Sequence, residues 1–130
     1  MKAVVCQNTE LRVADLPEPE PGRGQVLVHV LHCGICGSDL HVREHCGHMK
    51  QLMARVGFDA QFPGADDAVV FGHEFCCEVL DHGPGCERKI RPGTRVVAQP
   101  LLRVANAIDM LGLSVRSPGA YAERMLLQES

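Results

Sequence analysis

Apolar and polar residues alternate in several short stretches of this chain, as they do in β-strands with one buried face. Six stretches show the pattern: residues 2–6, 11–15, 25–32, 75–80, 95–98 and 119–127. The first two are close enough in sequence to form a hairpin, and the third carries valine at alternate positions, as a packed strand requires. The pattern therefore predicts a mainly β barrel or sandwich with small helical insertions.

Two segments have helical rather than strand character. Over residues 44–57 apolar side chains recur at spacings of three and four, and Gly57 is expected to stop the helix. A shorter helix is predicted to begin near Leu40, with Ser38 or Asp39 as its N-cap. The chain contains no G-x-G-x-x-G between a strand and a helix, so no dinucleotide-binding unit is predicted within it.

The composition narrows the classes of function. The chain has 130 residues, 45% of them apolar, which is enough for one buried core. Its net charge of −3 provides no broad basic surface, so nucleic acid is not an expected partner. No apolar run reaches the roughly 18–20 residues of a membrane span, and the N-terminus lacks a signal peptide. We therefore expect a cytoplasmic chain that makes no membrane contact.

The seven cysteines and seven histidines indicate metal binding or simple burial, because a reducing compartment disfavours disulfides and an odd number cannot all pair. Cys36 follows the strand predicted over residues 25–32, in a turn flanked by glycines, and His73 follows Gly72 just before the next strand. Zinc favours thiolate and imidazole ligands. Ligands at strand ends far apart in sequence are what we expect of a catalytic zinc site.

Polar residues suited to assist such a site lie beside these two. Asp39 is expected to accept a hydrogen bond from the ring nitrogen of His73 that does not bind metal. Ser38 is expected to hydrogen-bond an alcohol oxygen, and His41 to pass the proton to water, since imidazole titrates near pH 6.5. A zinc ion acting as a Lewis acid would promote release of hydride from such an alcohol.

Two motifs closely resemble the medium-chain zinc-dependent alcohol dehydrogenases. They are CGICGSDLH at residues 33–41 and GHEF at residues 72–75. Residues 1–5 (MKAVV), 25–28 (QVLV) and 91–97 (RPGTRVV) fit the same family in the same order. The resemblance therefore covers most of the chain.

The resemblance implies a GroES-like catalytic domain, a partly open β-barrel with one or two short helices. It implies a small-molecule alcohol or aldehyde as substrate, and NAD or NADP bound by a separate Rossmann cofactor domain. It also assigns roles to six residues: Cys36 and His73 as zinc ligands, Glu74 as a catalytic residue beside the metal and able to bind it, Ser38 and His41 as the proton relay, and Asp39 behind His73.

Three departures from the family modify these expectations. Residues 1–130 are expected to be the GroES-like domain alone, without the Rossmann domain or the usual third zinc ligand, so hydride transfer by this chain by itself is not expected. Residues 99–118 lack cysteine, so no structural zinc is predicted. Residues 42–70 are longer than the usual link between the motifs and are predicted to be a helical insertion.

Two other functions remain open from the sequence. The chain could be a non-catalytic β-barrel interaction module derived from the family, with homo-oligomers formed through barrel edges. It could also be a zinc-stabilised binding domain in which Cys33 and Cys36 join Cys46 and His48, although that spacing is poor for a zinc finger. Cys33 itself is expected to be a small buried residue.

Overall fold

The computed structural model describes residues 1–57 and 62–129 and confirms the mainly β prediction. Across those residues the elements are, in chain order: β1 (Lys2–Gln7), β2 (Glu10–Asp15), β3 (Gln25–Cys33), α1 (Gly37–Ala54), β4 (Phe75–His82), β5 (Arg95–Val96), β6 (Leu101–Val104), β7 (Ala107–Met110) and β8 (Arg124–Gln128). No helix among them is long and apolar enough to cross a membrane.

Antiparallel pairing organises the strands into one central sheet and two ribbons. The central sheet has the order β5-β4-β3-β8, while β1 pairs with β2 and β6 pairs with β7. In the β3–β4 pair, Cys33 at the end of β3 lies opposite Phe75 at the start of β4. The residues just after Cys33 and just before Phe75 therefore meet at one edge of the sheet.

The main core lies on one face of the central sheet, where alternate residues of β3, β4 and β8 point inward. Val28 and Cys77 are fully buried there, and Met125 is almost so. The alternation of apolar and polar residues in the sequence produces this buried face, because successive side chains of a strand point to opposite faces.

A second core cluster lies beneath helix α1. Val42 is buried against apolar residues that include Phe71, and Met49 and Met53 pack at its margin. Only one face of the helix is covered in this way, so its other face is exposed to solvent.

The N-terminus of α1 differs from the sequence prediction. The helix begins at Gly37 rather than near Leu40, and its N-cap is Cys36, not Ser38 or Asp39. Asp39 lies in the first turn instead, where its Oδ2 accepts a hydrogen bond from the backbone N–H of Cys36 at 3.1 Å. An acidic side chain at this position satisfies a backbone donor that the helix leaves free, which favours this start.

The structure has one helix where the sequence predicted two. The two predicted helices form the single helix α1, in which His45 alone departs from helical dihedral angles, with φ −134° and ψ 35°. The helix ends at Ala54, and Gly57, the expected stop, follows with φ +80°. Residues 58–61, which belong to the insertion predicted over residues 42–70, lie outside the described residues.

The C-terminal third of the chain differs from the sequence prediction in two further ways. Residues 99–118, for which no element was predicted, contain the β6–β7 hairpin. The strand predicted over residues 119–127 begins only at Arg124, because the preceding backbone bonds elsewhere. The N–H groups of Gly119, Ala120 and Tyr121 donate to the carbonyls of Val70, Gly72 and Phe71 respectively. This pairing fixes the backbone that leads into His73.

Candidate metal centre

Three predicted ligands meet at the edge of the central sheet. One ligand atom each from Cys36, His73 and Glu74 lies within 4.8 Å of the other two. Cys36 and His73 are half-buried and Glu74 is exposed. The pairing of β3 with β4 produces this arrangement, and it continues past the strand end because the N–H of Gly34 donates to the carbonyl of Glu74 at 2.7 Å.

The donor set fits a zinc ion. Zinc binds sulfur at about 2.3 Å and nitrogen or oxygen at about 2.0–2.2 Å, so neighbouring ligand atoms around a tetrahedral ion lie roughly 3.3–3.8 Å apart. The ligand atoms of the three side chains lie within 4.8 Å of one another, which is wider than this range at its upper limit and would tighten around a bound ion. Three protein ligands, one of them exposed to solvent, leave one coordination position for a small molecule, as in catalytic zinc sites.

Asp39 lies behind His73, as the sequence predicts. It is only 2% exposed, and its Oδ1 is 3.1 Å from Nδ1 of His73. Within the described residues, neither atom makes a well-directed hydrogen bond. A proton held on Nδ1 by this carboxylate leaves Nε2 free to bind metal.

Ser38 lies on the metal side of the same histidine. Its Oγ is 3.2 Å from Nε2 of His73, so its hydroxyl is close to the place where a metal and its small-molecule ligand would be. His41 lies about one turn further along α1 and is exposed, and its ring packs edge-on against that of His45 with centroids 4.9 Å apart. The structure thus brings Ser38 into the centre, whereas the ring of His41 is exposed and packs against other histidines of α1.

Tyr121 is a part of the centre that sequence reasoning missed. Its hydroxyl donates to Oδ2 of Asp39 at 3.1 Å and lies 3.4 Å from the carbonyl of Gly34. Burial, together with the negative charge of Asp39, raises the pKa of Tyr121 above its ordinary value, so the phenol remains a donor. The available signal was that this is the only tyrosine of the chain, and a buried tyrosine hydroxyl needs a partner.

Gly72 explains why His73 can lie where it does. Gly72 has φ +99°, and a Cβ there would be 2.8 Å from both Sγ of Cys33 and Cδ1 of Tyr121. Any other residue would strain the backbone and collide with these neighbours. The glycine therefore allows the chain to pass close to Tyr121 immediately before the predicted ligand.

Comparison with known proteins decides the family. The alcohol dehydrogenase GroES-like domain matches residues 22–130, which is most of the chain. The chain belongs to the alcohol dehydrogenase family. The resemblance predicted from residues 33–41 and 72–75 is therefore confirmed, as is the GroES-like fold with its zinc-dependent, medium-chain relatives.

Individual relatives agree with this assignment. L-threonine 3-dehydrogenase of Streptomyces coelicolor is 36% identical over 143 residues, covering 100% of this chain and 38% of that protein. The crystal structure of 2R,3R-butanediol dehydrogenase from Bacillus subtilis superposes with a TM-score of 0.68 at 28% identity, covering 98% of this chain and 38% of that one. Acetophenone reductase from Geotrichum candidum, in complex with NAD, gives 0.70 at 25% identity, with 98% and 37% coverage. The chain thus spans less than two fifths of the length of these relatives.

The other cysteines of this alcohol dehydrogenase domain are arranged differently from Cys36. Burial, followed by the charge of Asp39, raises the pKa of Cys33 to about 11, which keeps it a thiol rather than a thiolate ligand. Cys46 packs against the second core cluster with Cys6. Within residues 1–57 and 62–129, the structure does not gather Cys33, Cys46 and His48 into a metal-binding group.

Proposed function

We propose that this chain is the zinc-binding catalytic domain of an alcohol dehydrogenase, in which Cys36, His73 and Glu74 hold the metal. The observation that carries this proposal is the meeting of a thiol, an imidazole and a carboxylate within 4.8 Å, with a buried carboxylate 3.1 Å behind the imidazole. Membership of the family supports it. The substrate is a small-molecule alcohol or aldehyde, and the protein acts in the cytoplasm.

Different residues of this chain hold the metal and transfer the proton of the alcohol. Asp39 holds a proton on Nδ1 of His73 and directs Nε2 toward the metal. A zinc ion bound there supplies a Lewis acid that lowers the pKa of an alcohol hydroxyl. Ser38, with Oγ 3.2 Å from that Nε2, accepts the hydroxyl proton.

His41 receives the proton from Ser38 and releases it to water, because it is exposed and an imidazole can accept a proton at one ring nitrogen and donate one from the other. Glu74, also exposed, serves as a third ligand that can be exchanged for water at the open side of the site.

Hydride transfer requires a second component. The sequence contains no strand–GxGxxG–helix unit, and the relatives are more than twice as long as this chain. We therefore assign the binding of NAD or NADP to a Rossmann domain, either joined to this chain or supplied as a partner. This domain by itself binds zinc and positions the alcohol.

The predicted domain limits are part of the same proposal. Residues 1–130 form one GroES-like domain, and residues 42–70 are an insertion within it. Val42, at the start of this segment, is almost fully buried in the second core cluster. The insertion is therefore integrated into the fold rather than appended to it.

Measurement of bound zinc in purified protein tests the assignment of the site. Wild type is expected to retain one zinc ion per chain, and Cys36→Ser and His73→Ala are expected to lose it. Cys76→Ser and His32→Ala are matched controls outside the centre and are expected to keep it. Undiminished zinc in both Cys36→Ser and His73→Ala would rule the site out.

A further inference from the structure

Helix α1 carries three histidines, none of which is a ligand of the centre formed by Cys36, His73 and Glu74. His41, His45 and His48 are all exposed and follow one another at spacings of four and three residues. Residues at such spacings are neighbours on a helix surface. Between ring centroids, His41 is 4.9 Å from His45 and 6.4 Å from His48, although the helix is interrupted at His45. We call these three residues the histidine face.

The rings of the histidine face are not engaged by other parts of the protein. In the described portion of the chain, the imidazoles that contact polar protein groups belong to other histidines: His29, His73 and His82. The cation nearest in sequence, Arg43, is turned away, because its Nε donates to the carbonyl of Thr9 at 2.7 Å. The nitrogens of the histidine face are therefore available to a ligand from solvent.

The separation of the first two rings suits a shared metal ion. An ion bonded to an imidazole nitrogen at about 2.1 Å lies roughly 3.2 Å from the ring centroid, so two rings on one ion at 90–110° have centroids about 4.5–5.2 Å apart. The 4.9 Å between His41 and His45 falls in this range. His48 is 6.4 Å from His41. The three rings do not bring one nitrogen each within 4.8 Å of the others, so His48 would have to move toward the ion held by His41 and His45.

We propose that His41 and His45, with His48 as a third ligand, form a second site for a divalent transition-metal ion. Imidazole ligands suit zinc, nickel and copper, and water completes the coordination of an ion on an exposed surface. The site shares no ligand with the centre at Cys36, His73 and Glu74. It therefore stands whether or not that centre binds zinc.

Nickel is the probe that tests this proposal, and the Cys36→Ser chain is titrated beside wild type so that the other centre cannot contribute. Both proteins are expected to bind one Ni²⁺ at the histidine face, detected by calorimetry. The paramagnetic ion is expected to broaden the imidazole NMR signals of that face while those of His29 and His82 remain sharp.

Variants of the two histidines that have no other assigned role give the decisive comparison. His45→Ala is expected to weaken nickel binding by about tenfold or more, and His48→Ala by a smaller factor. His32→Ala, an exposed histidine on β3, is the matched control and should bind as wild type does. Loss of nickel binding in Cys36→Ser, or unchanged binding in His45→Ala, would overturn the proposal. His45→Gln, which retains a polar side chain, repeats the test if His45→Ala is poorly folded.

Discussion

Asp39 and Asp109 are both buried carboxylates, but their surroundings differ. Asp109 is fully buried, and both of its carboxylate oxygens accept hydrogen bonds. Its Oδ2 accepts from the hydroxyls of Ser114 at 2.9 Å and Ser117 at 3.0 Å. Arg116 donates from Nε to Oδ2 at 3.2 Å and from Nη2 to Oδ1 at 2.6 Å. Asp39 uses Oδ2 alone for well-directed hydrogen bonds, and its Oδ1 faces His73 without one.

We infer from this difference that Asp109 has a structural role and Asp39 a functional one. A buried polar group is normally satisfied, as Asp109 is by donors within eight residues of its own position. We infer that Asp109 orders the segment after the β6–β7 hairpin. The incompletely satisfied oxygen of Asp39 is directed at a predicted ligand, and we infer that its role is completed when metal binding orients His73.

Asp109→Ala gives the largest expected effect on stability. It leaves the buried hydroxyls of Ser114 and Ser117 and the half-exposed guanidinium of Arg116 without their acceptor. A buried polar group that loses its partner costs about 1–3 kcal/mol, so a loss on the order of 3 kcal/mol is expected. Urea unfolding measures this, with the exposed Asp66→Ala as control, expected to change stability by less than about 0.5 kcal/mol. Bound zinc in the folded fraction should be unchanged. A stability close to wild type would show that Asp109 is not structural.

Asp39→Asn, in contrast to Asp109→Ala, is expected to weaken zinc binding more than it lowers the free energy of unfolding. The amide keeps the volume of the carboxylate but removes the charge that orients His73, so zinc affinity is expected to fall by about 10–100-fold. Competition with a chromophoric chelator measures the affinity. If zinc affinity stays at the wild-type level, the distinction between the two carboxylates fails.

Tyr121→Phe removes one hydrogen-bond donor from Asp39 and leaves the proposed metal ligands unchanged. We expect a loss of about 1 kcal/mol in unfolding free energy, the usual contribution of one hydrogen bond, and faster release of zinc to a chelator. Ser114→Ala, which removes one donor from Asp109, is the matched control. It should lower stability similarly and leave zinc release unaffected, and equal release rates in the two variants would contradict this.

Glu129 provides the smallest expected effect, because it acts through the pKa of a single carboxyl group. Partial desolvation raises its pKa, but hydrogen bonds from the N–H groups of Glu87 and Arg88, at 2.5 and 2.8 Å, outweigh this, so the pKa lies below its ordinary value. A lowered folded-state pKa adds stability above the ordinary carboxyl pKa of about 4.3, and this is lost as pH falls through the folded value. Glu129→Gln should therefore weaken the decrease in Tm on acidification, and an unchanged pH profile would contradict this.

Much of the fold and the position of the candidate centre could be predicted from the sequence. The alternation of Val26, Val28 and Val30 defined β3, and the glycines after it placed Cys36 in a turn at the strand end. His73 was predicted beside Cys36 because both lie at strand ends and both stand in the motifs that resemble the family. The pairing of β3 with β4 brings those strand ends together. Local patterns were sufficient here since the strands are regular and the motifs adjoin them.

Features that depend on distant contacts could not be predicted. Tyr121 reaches Asp39 across 82 residues, and nothing near either residue in the sequence indicates the other. The β6–β7 hairpin turns through Ala105 and Asn106, with Ala105 at φ +54°, and lacks the glycine that marks most two-residue hairpin turns. The N-cap of α1 was misassigned because serine and aspartate are common caps, whereas the carboxylate of Asp39 was required one turn inside the helix.

Cys36 is the proposed ligand on which the metal centre depends most, and cobalt substitution tests its role directly. Co²⁺ in place of zinc shows an intense sulfur-to-metal charge-transfer band only when a thiolate is bound to it. We predict this band in wild type and in Cys33→Ser, and its absence in Cys36→Ser. A band that persists in Cys36→Ser, or that disappears in Cys33→Ser, would contradict the assignment of the centre.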